Sequence, residues 1–136
     1  MDFTIRHAKL VEIPIVSNGA GATLSFPTNM DDLNKAKIYG LQVITSTQLT
    51  TSPTGRPVFS AANQVSVAVT LTNLPGSNKR LDTIPAYSFN RELNAGRFYE
   101  FTPFIWNPSS SEINILAAGL NTTDSILFVF YYDPID

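Results

Sequence analysis

Residue types that perform acid–base, nucleophilic or metal chemistry are few in this chain of 136 residues. His7 is its one histidine, and cysteine is absent. A Ser-His-Asp or Cys-His arrangement would have to use His7, and no Gly-x-Ser-x-Gly motif accompanies it. We therefore interpret His7 as an ordinary polar residue of a strand, and we expect that the protein is not an enzyme.

Metal and cofactor sites also find little support. Zinc lacks its usual ligands, because there are no His/Cys pairs. Calcium would suit Asp31-Asp32, or Asp133 with Asp136, but no EF-hand spacing surrounds these acids. The stretch at residues 18–21, Asn-Gly-Ala-Gly, lacks the lysine and the following helix of a phosphate-binding loop. We expect no metal and no cofactor.

The composition limits the classes of partner that we expect for this protein. The net charge is −2 and charged residues make up 15 % of the chain, against a typical value of about 25 %. A nucleic-acid binder would show a basic stripe, so we expect no direct contact with nucleic acid. No apolar stretch approaches the ~20 residues of a membrane helix, and no secretion signal is visible at the start. A surface poor in charge and rich in hydroxyls and amides suits being covered by neighbouring subunits.

Three apolar runs near the C-terminus are the elements that must position any functional side chains. They cover residues 98–106, 112–116 and 125–132, and turn-rich segments separate them, so they predict strands. The last run is apolar on both of its faces, which carry Ile126, Phe128, Phe130 and Tyr132 on one side and Leu127, Val129 and Tyr131 on the other. Such a strand is either central in a sandwich or covered on its outer face by another subunit.

The rest of the chain predicts shorter strands. They lie at residues 10–16, 23–26, 36–47, 64–72 and 84–89, and a further one begins at 58–60. Pro14 indicates an edge strand or a bulge, and Pro85 indicates an edge strand, because proline cannot donate to a ladder. Residues 64–72 alternate apolar and polar side chains, as a half-buried strand does. Residues 50–57 form a turn, and residues 74–82 a polar loop with the basic pair Lys79-Arg80. Helical turns fit only at 30–33 and 90–96.

These elements predict an all-β domain with about eight strands. Their count and spacing favour an antiparallel sandwich or barrel. We expect one domain over residues 1–136, in which residues 1–20 are an N-terminal arm or an edge strand.

The order of several segments carries a resemblance to a known family. These are an N-terminal arm, the strand at 38–44, the Ser-Pro-Thr-Gly turn at 52–55, Val-Ser-Val-Ala-Val-Thr-Leu at 65–71, Ile-Pro at 84–85, the strand at 98–106, Ser-Ser-Ser at 109–111 and the final aromatic strand. This layout resembles the single jelly-roll proteins of icosahedral virions, particularly the penton or minor capsid proteins of tailless phages.

The resemblance implies an antiparallel β-sandwich of jelly-roll type that assembles by lateral contacts without catalysis. The function it implies is that of a structural capsid or penton-type protein of a bacteriophage virion, assembled in the host cytoplasm. Its partners would be copies of itself, as a homo-oligomer, and other virion proteins. The chain lacks a long basic arm, which argues against genome packaging. The two-sided apolarity of the strands at 98–106 and 126–132, rather than the resemblance, gives the candidate interface residues Trp106, Phe104, Phe128, Phe130, Tyr131 and Tyr132.

Two other functions stay open. A carbohydrate- or receptor-binding β-sandwich, such as a fibre head, would use Trp106, Phe104 and Tyr99 as a platform for a sugar, although their spacing favours a core or an interface. An enzyme on a sandwich or cupin-like barrel would need clustered histidines and carboxylates, and the chain has one histidine.

Overall fold

The chain folds into two antiparallel β-sheets. A computed structural model describes residues 7–27, 30, 33, 36–74, 76, 78–90 and 98–133. The strands are β1 (His7–Pro14), β2 (Thr23–Ser25), β3 (Lys37–Ile44), β4 (Val67–Thr72), β5 (Lys79–Pro85), β6 (Tyr99–Ile105), β7 (Glu112–Ile115) and β8 (Ser125–Asp133). Short 3₁₀ helices lie at Ala61–Ser66, Ala86–Phe89 and Pro108–Ser110. No helix in the described ranges is long and apolar enough to cross a membrane.

The strand pairing follows one simple scheme. The first sheet has the order β1-β8-β3-β6, and the second sheet has the order β2-β7-β4-β5. The pairs β1–β8, β2–β7, β3–β6 and β4–β5 are those of one long hairpin folded between β4 and β5. Rolling up that hairpin adds the pairs β8–β3 and β7–β4. The predicted all-β class and sandwich-like pair of sheets are confirmed, and β8 is central in its sheet.

The core lies between the two sheets and is rich in aromatic rings. Trp106, which is fully buried, stacks on Phe130 with centroids 4.5 Å apart. Phe26 meets both rings edge-on, at 5.2 and 5.8 Å. The indole Nε1 of Trp106 donates a hydrogen bond of 2.8 Å to Ser111 Oγ, which satisfies the one polar atom of that side chain.

Each of the four edge strands carries a feature that limits further pairing. β2 has three residues, whereas β1, β5 and β6 contain Pro14, Pro85 and Pro103. β6 is also bulged, because its partner β3 pairs Ile38 with Phe104 but Gly40 with Glu100. Short, proline-containing or bulged edges resist pairing with another chain.

Three sequence-based strand assignments were wrong. No strand begins at residues 58–60, where Val58 forms only an isolated bridge to Ser125. Residues 79–85, which include part of the predicted polar loop, form β5, whereas residues 86–89 of the predicted strand form a 3₁₀ helix. β5 is an edge strand that exposes Lys79, Arg80 and Asp82, so its composition is similar to that of a loop. Residues 64–66 belong to a 3₁₀ helix in which Val65 is 62 % exposed. β4 itself is buried at every position rather than on one face.

Some predictions fall partly or wholly outside the described residues. These are the arm segment at residues 1–6, most of the two helical turns at 30–33 and 90–96, and the acids Asp31, Asp32 and Asp136. Within the described ranges, no group of three or more His, Cys, Asp or Glu side chains is placed to hold a metal ion.

Candidate assembly face

The outer face of the first sheet is the surface that stands out chemically. The pairing register places its outward side chains in three rows across the sheet. Row by row they are Ala8, Tyr131, Gly40 and Glu100; Leu10, Val129 and Gln42; and Glu12, Leu127 and Ile44. We call these three rows, together with Phe98, the apolar face.

The centre of the apolar face carries no charge. Its two acids, Glu12 and Glu100, lie at row ends on the edge strands β1 and β6. Leu10 is 37 % exposed, and Val129 is half-buried. A contiguous apolar surface bordered by polar residues is typical of a protein–protein contact. Leu127 also points outward but is fully buried, so the chain itself covers one end of this face.

An aromatic stack stands on the first row. The ring of Phe98 lies parallel to that of Tyr131, with centroids 3.9 Å apart, and meets Tyr39 edge-on at 6.0 Å. Gly40 makes this stack possible, because a Cβ there would lie 2.3 Å from a ring carbon of Phe98. A glycine within a strand often marks a close approach of this kind. Tyr131 also donates a hydrogen bond of 3.1 Å to Oε1 of Gln42, which fixes its ring.

A carboxylate cluster borders the apolar face on β1. Glu12 Oε2 accepts hydrogen bonds from the hydroxyls of Ser52 at 2.7 Å, Thr54 at 2.5 Å and Ser125 at 2.8 Å. Partial burial by itself would raise the pKa of the Glu12 carboxyl, but these bonds and one from the Thr54 N–H hold that pKa below its ordinary value of 4.5. A carboxylate with a lowered pKa is a weak general base, so this cluster is poorly suited to activating a serine.

Arg56 extends the cluster to the loop before β8. Its Nε donates to Ser125 Oγ at 2.9 Å, and its Nη2 donates to the carbonyl oxygens of Thr122 and Asp124 at 2.8 and 2.9 Å. The Ser125 hydroxyl therefore links the guanidinium to the carboxylate of Glu12. The arrangement fastens the turn that precedes Val58 to one end of the first sheet.

The outer face of the second sheet is polar. Its register places Thr23, Ser25, Ala68, Thr70, Glu112 and Asn114 outward. Thr70 Oγ1 donates to Asn114 Oδ1 at 2.7 Å, and the Asn114 amide donates to Glu112 Oε1 at 3.0 Å. Side chains of this face form hydrogen bonds with one another, so the face presents little apolar surface to a partner.

The six candidate interface residues fall into two groups. Trp106, Phe128 and Phe130 are fully buried, and Phe104 and Tyr132 are 7 % and 8 % exposed, so these five lie in the core of the chain. Tyr131 alone lies on the apolar face. Their role at an interface stays a prediction. Of the six side chains, Tyr131 is the one directed toward the outside of the sheet.

Sequence reasoning missed most of the apolar face outside β8, including Leu10 and Gln42, and it did not predict the stack of Phe98 on Tyr131. The alternation along residues 7–14 is a signal that finds Leu10, whereas the place of Phe98 depends on Gly40, a residue far away in sequence.

The predicted sugar platform is not formed as one exposed surface. Trp106 is fully buried, and the ring of Tyr99 packs edge-on against Phe89 at 5.1 Å. Phe104 is also mostly buried, and its ring lies 5.4 Å from that of Phe101.

Comparison with known protein families, with curated proteins and with solved structures finds no match in any of the three. The function is therefore argued from the geometry of the chain itself.

Proposed function

We propose that the protein is a structural subunit of a bacteriophage virion, of the capsid or penton type, that assembles with copies of itself through the apolar face. The observation that carries the proposal is an outer sheet face whose centre carries no charge, with Leu10, Val129 and the Phe98–Tyr131 stack directed outward. Other virion proteins would meet the remaining surface, and the subunit needs no cofactor for this role.

The strand order supports the architectural part of the proposal. A jelly roll would pair eight strands as one long hairpin and roll it up, and the orders β1-β8-β3-β6 and β2-β7-β4-β5 support this part of the proposal. Jelly rolls recur in viral capsids, and also in lectins and cupins, so the fold class alone does not select a function. The apolar face is what favours assembly among these roles.

Burial of apolar area would drive the association. Each ~100 Å² of apolar surface removed from water contributes about 2.5 kcal/mol before the entropic cost of association is subtracted. Stable interfaces bury about 1,200–2,000 Å² in total, which requires the whole face rather than one side chain. Rigid rings such as Tyr131 are well suited to the centre, because they lose little conformational entropy on binding.

A charge at the centre of the apolar face is the direct test. We expect the purified protein to be oligomeric by native mass spectrometry and light scattering, and Val129→Lys to be monomeric. Thr23→Lys is the matched control, because Thr23 is exposed on the polar face of the second sheet. It should assemble as the unmodified chain does.

The symmetry of the oligomer refines the role. A pentamer would favour a vertex position in the virion, and a trimer would favour a capsomer or a fibre. A chain that stays monomeric at high concentration while remaining fully folded would contradict the proposal. An oligomer that Val129→Lys leaves intact would show that assembly uses another surface.

A further inference from the structure

A pocket of about 380 Å³ is bounded by β5 and β6, the edge strands of the two sheets. Among the described residues it is lined by Arg80 of β5 and by four consecutive residues of β6, namely the bulge residues Phe101, Thr102 and Pro103 and the paired residue Phe104. Bulges often re-aim side chains near binding sites. The pocket's volume is within the range of small-ligand sites.

Arg80 supplies the charge of this pocket. It is exposed, and its guanidinium makes no hydrogen bond or ion pair with any described residue. Its neighbour Lys79 instead lies 3.7 Å from a carboxylate oxygen of Asp82. A free guanidinium presents a planar fork of donors that matches a carboxylate with two parallel hydrogen bonds.

The rest of the lining is apolar with one hydroxyl. The half-buried ring of Phe101 lies 5.4 Å from that of Phe104 and 6.5 Å from that of Tyr99, so neighbouring rings fix its position. Ring faces pack against the C–H face of a sugar, and the exposed Thr102 offers a donor and an acceptor for sugar hydroxyls.

A peptide is the poorer candidate for this place. Peptides bind sheet edges by adding a strand, which needs a regular row of free N–H and C=O groups. Pro103 has no N–H, and the bulge at residues 101–103 breaks the register of β6. A ligand here must be held by side chains.

We propose that this pocket binds a sugar ring that carries a carboxylate, with the carboxylate on Arg80 and the ring on Phe101. The site is independent of the apolar face and gives the same subunit a second task, the contact with an acidic glycan. It differs from the platform of Trp106, Phe104 and Tyr99, because Trp106 contributes nothing to it.

Saturation-transfer difference NMR on the intact protein tests the proposal. The probes are the methyl glycosides of N-acetylneuraminic acid and of glucuronic acid, with methyl galactoside as the neutral control. We expect at least one acidic sugar to bind with a Kd of about 1 mM, as suits a ligand of that size. Arg80→Met should weaken this binding about tenfold, since it removes hydrogen bonds to a charged group. Lys79→Met is the matched control and should leave Kd unchanged.

Each other outcome would overturn the inference. Binding of methyl galactoside as tight as that of the acidic sugars would show that the pocket does not recognise the carboxylate. Full competition by inorganic sulfate at the same concentration would show a general anion site without recognition of the ring. Absence of binding by both acidic sugars, or equal loss in Arg80→Met and Lys79→Met, would also exclude it. Val129→Lys should bind as the unmodified chain does, so failure of the assembly proposal is visible separately.

Discussion

The outer faces of the two sheets differ in the polarity of their side chains. The first sheet directs leucine, valine and stacked rings outward, whereas the second directs threonine, serine and asparagine outward. Rings hold the first face in place, as the Phe98–Tyr131 stack shows. Side-chain hydrogen bonds hold the second, as Thr70 and Asn114 show. One sandwich thus has one outer face that carries apolar side chains and another that carries hydrogen-bonded polar side chains.

Gly40→Ala should produce the largest loss of stability, because it disrupts the aromatic stack on the outer face of the first sheet. The new Cβ would lie 2.3 Å from a ring carbon of Phe98, so the ring must leave Tyr131 or the strand must shift. We expect a loss of about 1–3 kcal/mol in the free energy of unfolding, measured by urea denaturation. In a Phe98→Ala background the same substitution should cost much less, and an equal cost in both backgrounds would contradict the assignment of Gly40.

Thr70→Val probes the second face. Valine keeps the shape but removes the hydroxyl that donates to Asn114 and accepts from the Thr83 N–H at 3.1 Å. Thr70 is almost fully buried, so both partners lose a bond away from water, and we expect unfolding to become easier by about 1–2 kcal/mol. Thr23→Val on the same face is exposed and should change the unfolding midpoint little. Similar effects at both positions would mean that hydrogen bonding is not what holds this face.

Glu12→Gln tests the polar border of the apolar face. Because the folded pKa of Glu12 lies below 4.5, its ionised form stabilises the fold above that pH, and this contribution disappears as pH falls through the lowered folded value. At pH 7 we expect the urea midpoint to fall by about 0.3 M, since charge-assisted hydrogen bonds become neutral ones. The gap between the two proteins should close on acidification below pH 4.5. A gap that is constant from pH 7 to pH 3 would rule out this role.

Tyr131→Phe should have the smallest effect on the folded chain. It deletes the bond to Gln42 but keeps the stack on Phe98, so we expect a loss of no more than about 0.5 kcal/mol in the free energy of unfolding. Assembly should persist, because the apolar area is unchanged. Dissociation of the oligomer by this change would show that the hydroxyl, rather than the ring, makes the contact.

The parts of the fold that sequence predicts well are those with a strong local pattern. β8 is apolar on both faces, which made a central place in the sandwich one of two alternatives, and the strand lies between β1 and β3. Pro14 indicated an edge strand or a bulge, and β1 is an edge strand. β5 was missed because the solvent side of an edge strand carries the same charges as a loop, here Lys79, Arg80 and Asp82.

The contact surfaces were harder to predict, because they depend on residues distant in sequence. Alternation along β4 placed Thr70 on a solvent face, yet the backbone of Thr83 approaches its hydroxyl and helps to bury it. The stack of Phe98 on Tyr131 needs a glycine on a third strand. The two-sided apolarity of their strands favoured Trp106 and Phe130 as interface residues, whereas their full burial places them in the core.

The features that limit pairing at the edge strands affect how the protein behaves at high local concentration. Three edges contain a proline and the fourth is three residues long, so stacking subunits into ribbons by backbone pairing is unfavourable at every border. Growth by side-chain contact across one surface can close upon itself, whereas ribbon growth has no natural end. A folded chain of this kind can therefore accumulate in large numbers with little tendency to form amyloid.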